Sequence, residues 1–332
     1  MYLDSVPPTK VPLVIVAGPT GSGKSALAIG LARQFRGEIV NYDSLQLYRG
    51  FDIGTAKTPA ADRQGVPHHL FDVLEPQIGY SAGEYSRAAR LILHDIASRG
   101  ALPILAGGTG FYLKALLEGL PSLPERDERL RARLAAKEVR KPGTLHRLLT
   151  RLDSAAAAKI HANDVQKLTR ALEIRCTTGE SLPPRENAEP LEGWQPIKIG
   201  LNPDRAELVR RLDERVVRMF QHGLLDEIRG LLDEHACDVN GARGDRRRLK
   251  AMESLGYKQG LAHIRGTMTL AEAIESTQIE TRQYAKRQLT WFRRDPEIHW
   301  LAGFGDDPAI QERAREILFG ILTSASFASV PD

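Results

Sequence analysis

The pattern of apolar positions is densest at VPLVIVAG (11–18), a largely β-branched run with no polar alternation that is closed by Gly-Pro. A short stretch apolar on both faces predicts a strand buried in a parallel sheet. From Lys24 to about Gln34 the period changes to that of a helix. The couple then repeats: EIVNY (38–42) reads as a second strand, Ser81 to about Ser98 as a helix, ALPILAGG (101–108) as a third strand, and a further helix starts at Phe111. Strands that alternate with helices imply a doubly wound parallel α/β sheet, with its binding crevice at the carboxyl ends of the strands. Chemistry is therefore expected after residues 17, 42 and 106.

The pattern breaks near Leu120. Up to Gly193 the chain is rich in Arg, Leu and Ala, carries helical periods punctuated by PSLPERD, RKPG and SLPPRENAEP, and offers no good strand. IKIGLN (197–202) resumes the sheet, and helical patterns follow over Arg205–His235, Arg246–Ile264 and Leu270–Arg294. The expected organisation is a core over 1–119, a helical insertion over 120–195, the rest of the core over 196–322, and a flexible tail over 323–332 that contains SASFASVPD.

Composition narrows the class without naming a function. The 332 residues are 42% hydrophobic, enough for a large core, and no apolar run approaches the roughly 20 residues of a membrane span. MYLDSVPPTK lacks the regions of a signal peptide, so a cytoplasmic protein with no membrane partner is expected. Cys176 and Cys237 have neither CxxC spacing nor nearby His pairs, which argues against a disulfide framework or a zinc site. The net charge is only +4, but positive charge is clustered: nine Lys/Arg against three acids over Arg126–Arg151, five against one in RGDRRRLK (243–250), and five against none in TRQYAKRQLTWFRR (281–294). Such runs suit nucleic-acid phosphates, and each also reads as a solvated helix face.

GPTGSGKS places Gly18, Pro19, Thr20, Gly21, Ser22, Gly23, Lys24 and Ser25 in the pattern G-x-x-x-x-G-K-[ST], between a strand and a helix as that pattern requires. The glycines let backbone N–H groups turn toward anionic oxygens, Lys24 adds a point charge, and the Ser25 hydroxyl suits Mg²⁺. The loop recognises a polyphosphate, whether nucleotide or not. A hydrolytic ATPase of this class usually offers an Asp after a later strand, whereas this chain offers Gly107, Gly108, Thr109 and Gly110. Asp43, in NYDSLQLYRG, follows the second strand and is a candidate general base over the same crevice. Asp before Ser is also a common helix cap, and both readings stand. His68 and His69 lack metal-spaced partners and read as loop packing.

GPTGSGKS, DSLQLYRGFDIGTAK, GGTGFYLKALLEGL, HANDVQKLTRALE and RQYAKRQLTWFR occur in this order in one family, and from about Pro12 to Leu301 the chain resembles the tRNA dimethylallyltransferases. The resemblance implies a P-loop NTPase-like fold and transfer of a dimethylallyl group from dimethylallyl diphosphate to the N6 amine of the adenosine 3′ of the anticodon, expected at tRNA position 37. It implies that Asp43 takes the amine proton, that Lys24 and the loop amides hold the diphosphate, that Ser25 helps hold Mg²⁺, and that Arg215 faces the leaving group. It places contacts to the anticodon stem-loop at Asp43, Ser44, Leu45 and Gln46, at Thr109, at Arg131, and at Gln166, Lys167, Leu168, Thr169 and Arg170, with MESLGY (252–257) as a further segment. Eukaryotic members add a C-terminal zinc finger for which this chain has no Cys/His set, so the resemblance is to the shorter bacterial form, expected as a monomer.

Two alternatives share the early motifs. A small-molecule kinase also places an acid after the second strand, and an adenylate isopentenyltransferase uses the same donor on a free nucleotide. The basic helical insertion favours a polynucleotide over both. An RNA-binding protein whose loop senses a nucleotide is the non-catalytic alternative.

Overall fold

The computed structural model describes residues 10–121, 123–124, 126–181, 188–234 and 249–327. Residues up to Leu117 and from Leu191 onward form one compact unit, and Glu118–Pro190 forms a second. The first unit runs β1 (Val11–Ala17), α1 (Lys24–Phe35), β2 (Gly37–Asn41), β3 (His68–His69), α2 (Ala82–Ser98), β4 (Leu102–Ala106) and α3 (Gly110–Leu117). The second contributes α4 (Glu128–Arg140), α5 (Thr144–Leu152), α6 (Ser154–Lys159) and α7 (Val165–Thr178). The first then resumes with β5 (Trp194–Leu201), α8 (Arg205–Gln221), α9 (Leu224–Glu234), α10 (Tyr257–Ile264), α11 (Leu270–Phe292), β6 (His299–Leu301) and α12 (Pro308–Phe327).

Among the described residues one six-stranded sheet has the order β3-β2-β4-β1-β5-β6, and every pairing in it is parallel. Leu13 to Ala17 are all buried, as a strand covered on both faces requires. One face packs Leu27, Ala28 and Leu31 of α1 and Ala314 and Leu318 of α12 onto Val14, Val16, Ile104 and Ile199. Each of the Leu, Val and Ile side chains contributes about 1.5–3 kcal/mol by leaving water. α2 and α3 pack together with the Tyr85 and Tyr112 rings stacked at 4.5 Å.

The order of strands decides the geometry of the crevice. β4 lies between β1 and β2, so the loop after β1 and the turn after β2 stand two strand spacings apart, about 10 Å. The gap between them is occupied by the turn at the end of β4, Gly107-Gly108. A Cβ on Gly107 would strike the Tyr42–Asp43 peptide.

The sequence pattern missed three features. β3 and β6 are edge strands of two and three residues, too short for a period to register. The single helix expected over Arg205–His235 is two, because Gly223 at φ 106° turns the chain between α8 and α9 while the apolar period continues across it. The tail expected from 323 is helical through Phe327, and the remainder lies outside the described residues. RGDRRRLK and the start of the pattern at Arg246 also lie largely outside them, as does part of SLPPRENAEP.

In the second unit, Leu134, Leu145, Leu149, Ala157, Leu168, Ala171 and Leu172 make a small core of their own. An antiparallel bridge pairs Pro121 with Ala188 at its open end.

Candidate active site

The start of α1 is built to receive an anion. α2 closes its N-terminus with a capping box of Ser81 and Glu84, whereas α1 has no side-chain cap and no acid in its first turn. Its orphan N–H groups and the positive end of its dipole stay free for a ligand. Gly21 and Gly23 hold left-handed φ of 79° and 86°, and a Cβ there would lie 2.6 Å from Leu212 Cδ2 and 2.8 Å from the Gly305 amide nitrogen. Lys24 Nζ donates to the loop's own Pro19 carbonyl at 2.9 Å. Burial draws its pKa down to about 8, partly offset by Asp43 and reinforced by Arg215.

Four arginines of α8 line the cavity beside this loop, together with Thr20, Lys24, Ser25, Asp43 and Gln46; its volume is about 500 Å³. Arg210 is paired with Glu207 and Glu214, and Arg211 pairs with Asp306 while lying 3.7 Å from the Phe304 ring centroid. Arg215 and Arg218 have no carboxylate partner among the described residues. Arg215 Nη2 donates to Thr20 Oγ1 at 3.0 Å, and its Nε is buried with no acceptor. Burial, with Arg218 nearby, lowers its pKa to about 10. Ser22 is fully buried and its Oγ is also unpartnered. The positive charge of Lys24, Arg215 and Arg218 converges on one cavity and calls for a polyanion there.

Asp43 sits across the gap. Its Oδ1 accepts the Leu45 N–H at 3.0 Å, which closes a side-chain turn; residues 44–47 form a turn and not a helix, so the expected alternative of a helix cap does not apply. The other, Oδ2, lies 3.3 Å from the position a Gly108 Cβ would take. No Lys or Arg comes within ion-pairing distance of Asp43 among the described residues. Burial raises its pKa above the usual carboxylate range, and the Leu45 and Gln46 amides, Lys24 and Arg215 pull the other way. A carboxylate that keeps an oxygen free and gains basicity from burial is suited to accept a proton.

The Asp43 turn is fixed from both sides. Asn41, fully buried, bonds back to the Asp43 amide and carbonyl and to Leu70 O. Thr109 donates its N–H to Tyr42 O at 3.1 Å, accepts the Ser44 N–H on Oγ1 at 3.0 Å and donates that hydroxyl to Ser44 Oγ. Thr109 and Ser44 thus hold each other and the turn. Leu45, half-buried, packs against the cluster of Phe51, Leu224 and Tyr257. Gln46 lines the cavity, with its amide donating to Thr55 O.

Within the second unit, Gln166 and Lys167 are exposed at the start of α7, with Lys167 paired to the capping Asp164. Leu168 and Thr169 are buried at 0% and 7% exposure, so their side chains are internal to the unit. Arg131 and Arg170 both bind the fully buried Glu173, at 3.1 and 2.6 Å. Of MESLGY, Met252 and Tyr257 are buried, and Tyr257 donates to Glu227, which also accepts the N–H groups of Asp52, Ile53 and Gly54. Those two side chains are therefore internal.

Sequence reasoning missed Gln288. It sits in α11 at 5% exposure, accepts the Thr20 N–H at 2.7 Å and donates to Gly108 O at 2.9 Å. Its signal was present as a polar residue on the buried stripe Ala273, Thr277, Thr281, Ala285, Gln288, Phe292. The exposed Lys286, Arg287, Trp291 and Arg294 line a separate groove on the same helix.

The sequence model of the IPP transferase family matches residues 46–295. A tRNA dimethylallyltransferase of Solibacter usitatus is 55% identical over 308 residues, covering 92% of this chain and 97% of the relative. The crystal structure of a full-length tRNA isopentenylpyrophosphate transferase from Bacillus halodurans superposes with a TM-score of 0.70 at 34% identity, over 96% of this chain and 99% of that one. A eukaryotic dimethylallyltransferase crystallised acting on tRNA gives a TM-score of 0.76 at 28% identity, over 95% and 80%. With the loop, the unpaired acid and the cation cluster in one crevice, and with likeness along nearly the whole length, the chain belongs to the IPP transferase family of tRNA dimethylallyltransferases.

Proposed function

We infer that the protein transfers a dimethylallyl group from dimethylallyl diphosphate to the exocyclic N6 of the adenosine 3′ of the anticodon, at tRNA position 37. The observation that carries the reading is Asp43 without an ion-pair partner, facing an anion-binding loop across a gap kept open by two glycines. The adenine amine is a poor nucleophile because its lone pair is delocalised into the ring, so it needs both a base and a stabilised leaving group. In the proposed step the N6 lone pair forms a bond to C1 of the allyl group while the C1–O bond breaks. Its electron pair stays on the diphosphate, held by the loop amides, Lys24 and Arg215, and the N6 proton passes to Asp43. A base stacked in an anticodon loop has to be extruded to reach such a cavity.

The donor set fits Mg²⁺ as a shared ligand. No group of three or more acidic, His or Cys side chains among the described residues could cage a metal. Mg²⁺ commonly rests on one protein oxygen, substrate phosphates and water, and Ser25 Oγ at the mouth of the loop would supply that oxygen. Bound there it would neutralise charge on the departing diphosphate. We assign the helical unit 118–190, through Arg131, Gln166, Lys167 and Arg170, to the tRNA, and propose a monomer working in the cytoplasm. No described helix is long and apolar enough to cross a membrane.

The test is purified protein with Mg²⁺ and dimethylallyl diphosphate, offered an anticodon stem-loop or free AMP, with a parallel incubation in ATP. Prenylation of the stem-loop is expected, abolished by chelation. Prenylation of AMP alone would favour the free-nucleotide enzyme, and ATP-dependent phosphoryl transfer the kinase.

A further inference from the structure

We propose that Gln288 is a positioning residue that sets the separation between the donor's leaving group and the base Asp43. The proposal rests on the reading of Asp43 as the base and adds a residue to that site. Strand order leaves the donor loop and Asp43 about 10 Å apart with only the Gly107-Gly108 turn between them. Neither glycine has a side chain with which to brace that gap.

The side chain of Gln288 spans it from α11. Its carbonyl takes the Thr20 N–H, and Thr20 in turn takes the Arg215 guanidinium on Oγ1. Its amide gives a hydrogen bond to Gly108 O, and the next residue, Thr109, fixes Tyr42 O and Ser44 on either side of Asp43. The cation and the base are thus joined by a continuous run of bonds with one side-chain amide at its centre. Space for that amide exists because residue 108 is glycine. The point a Cβ would occupy is in contact with Gln288 Nε2 and lies 3.3 Å from Asp43 Oδ2 and 3.5 Å from Tyr284 Oη.

A side-chain amide of this length, or a neutral carboxylic acid in its place, meets both demands, since one end must accept and the other donate. A hydrophobic residue of the same length fills the space and makes neither bond. A carboxylate accepts from Thr20 but has nothing to give Gly108 O, and it adds negative charge beside the anion site. Placement errors of about 1 Å in a reacting pair cost on the order of 100-fold in rate, so loosening this brace is expected to act on turnover more than on binding.

Two variants test the idea with the full chain, Mg²⁺, dimethylallyl diphosphate and an anticodon stem-loop. Gln288→Met is expected to lower kcat about 100-fold with both KM values within about threefold of wild type. Gln288→Glu restores the donor only when protonated, and burial favours that form, so its kcat relative to wild type is expected to rise at least about tenfold between pH 8 and pH 6. Taking the ratio removes the titration that Asp43 shows in the wild type. A Gln288→Met enzyme with kcat within twofold of wild type, or with its defect confined to KM, overturns the proposal. If that variant does not fold, a flat Gln288→Glu ratio overturns it alone. Wild-type protein inactive on the stem-loop would instead sink the function on which it rests.

Discussion

Two carboxylates in this protein lose most of their water and are treated in opposite ways. Glu173, in the helical unit, is fully buried and saturated: Arg131 and Arg170 pair with it and the Asp127 N–H donates to it at 2.8 Å. Asp43, in the sheet unit, has amide donors on one side and no paired cation among the described residues, although Lys24 and Arg215 share its cavity. Saturation makes Glu173 a strut that aims two arginines. Leaving Asp43 unfinished keeps a proton acceptor in reserve, at a cost in stability that a purely structural acid would not carry.

The sharpest way to break this contrast is Asp43→Asn. Loss of a positioned base is worth about 10²–10⁴ in rate, so kcat on the stem-loop is expected to fall about 1,000-fold while stem-loop affinity stays within about threefold. Burial raises the Asp43 pKa in the folded chain above its unfolded value, so the folded state keeps the extra proton and stability declines as pH rises through that window. Thermal melting at pH 7.5 should accordingly show Asp43→Asn no less stable than wild type. A melting point several degrees lower would mean that Asp43 is a strut as well.

Glu173→Gln is the mirror experiment. Removing one partner of a buried ion pair costs about 3–5 kcal/mol, and here it leaves two guanidinium groups facing each other. Denaturant titration should show the loss, whereas kcat at saturating stem-loop, well below the melting temperature, should change by less than about threefold. A large fall in kcat with unchanged stability would reverse the roles assigned to the two acids.

The pH profile gives a smaller effect. Lys24 is charged in the free enzyme below about 8, so kcat/KM for dimethylallyl diphosphate should fall up to about tenfold per pH unit above that value. The bound diphosphate holds the proton on Lys24, so kcat should stay level across the same range. Lys24→Arg should remove the alkaline limb. The least effect is expected at Lys167, exposed beside its capping partner: Lys167→Ala should weaken stem-loop binding a few-fold and flatten the salt dependence of log Kd by about one.

Much of the site was readable because its parts are local in sequence. A phosphate loop is eight consecutive residues whose glycines are forced by φ, and β1 is buried on both faces, so both leave a pattern with no alternative use. Asp43 was readable for a similar reason, as the first acid after a buried strand. Gln288 was not, since its partners Thr20 and Gly108 lie 268 and 180 residues away, and a polar residue on a buried stripe says only that some partner exists. Leu168 shows a different limit of reading by motif. A motif resemblance marks QKLTR as a unit, but helical geometry turns its third and fourth residues inward while Gln166 and Lys167 face water. The edge strands failed for want of length, two and three residues being too few to show an alternation.

The helical unit leaves the sheet unit after Leu117 and returns at Leu191, and the Leu191 N–H donates to Leu117 O at 2.9 Å. Departure and return therefore share one point, and all six strands lie outside the excursion. Such a hairpin of domain size can grow, shrink or be exchanged between lineages without re-threading the sheet, because closing a loop costs little more when it is long. The sheet with its crevice and the helical unit are in this sense separately heritable, with a backbone hydrogen bond where the chain departs and returns.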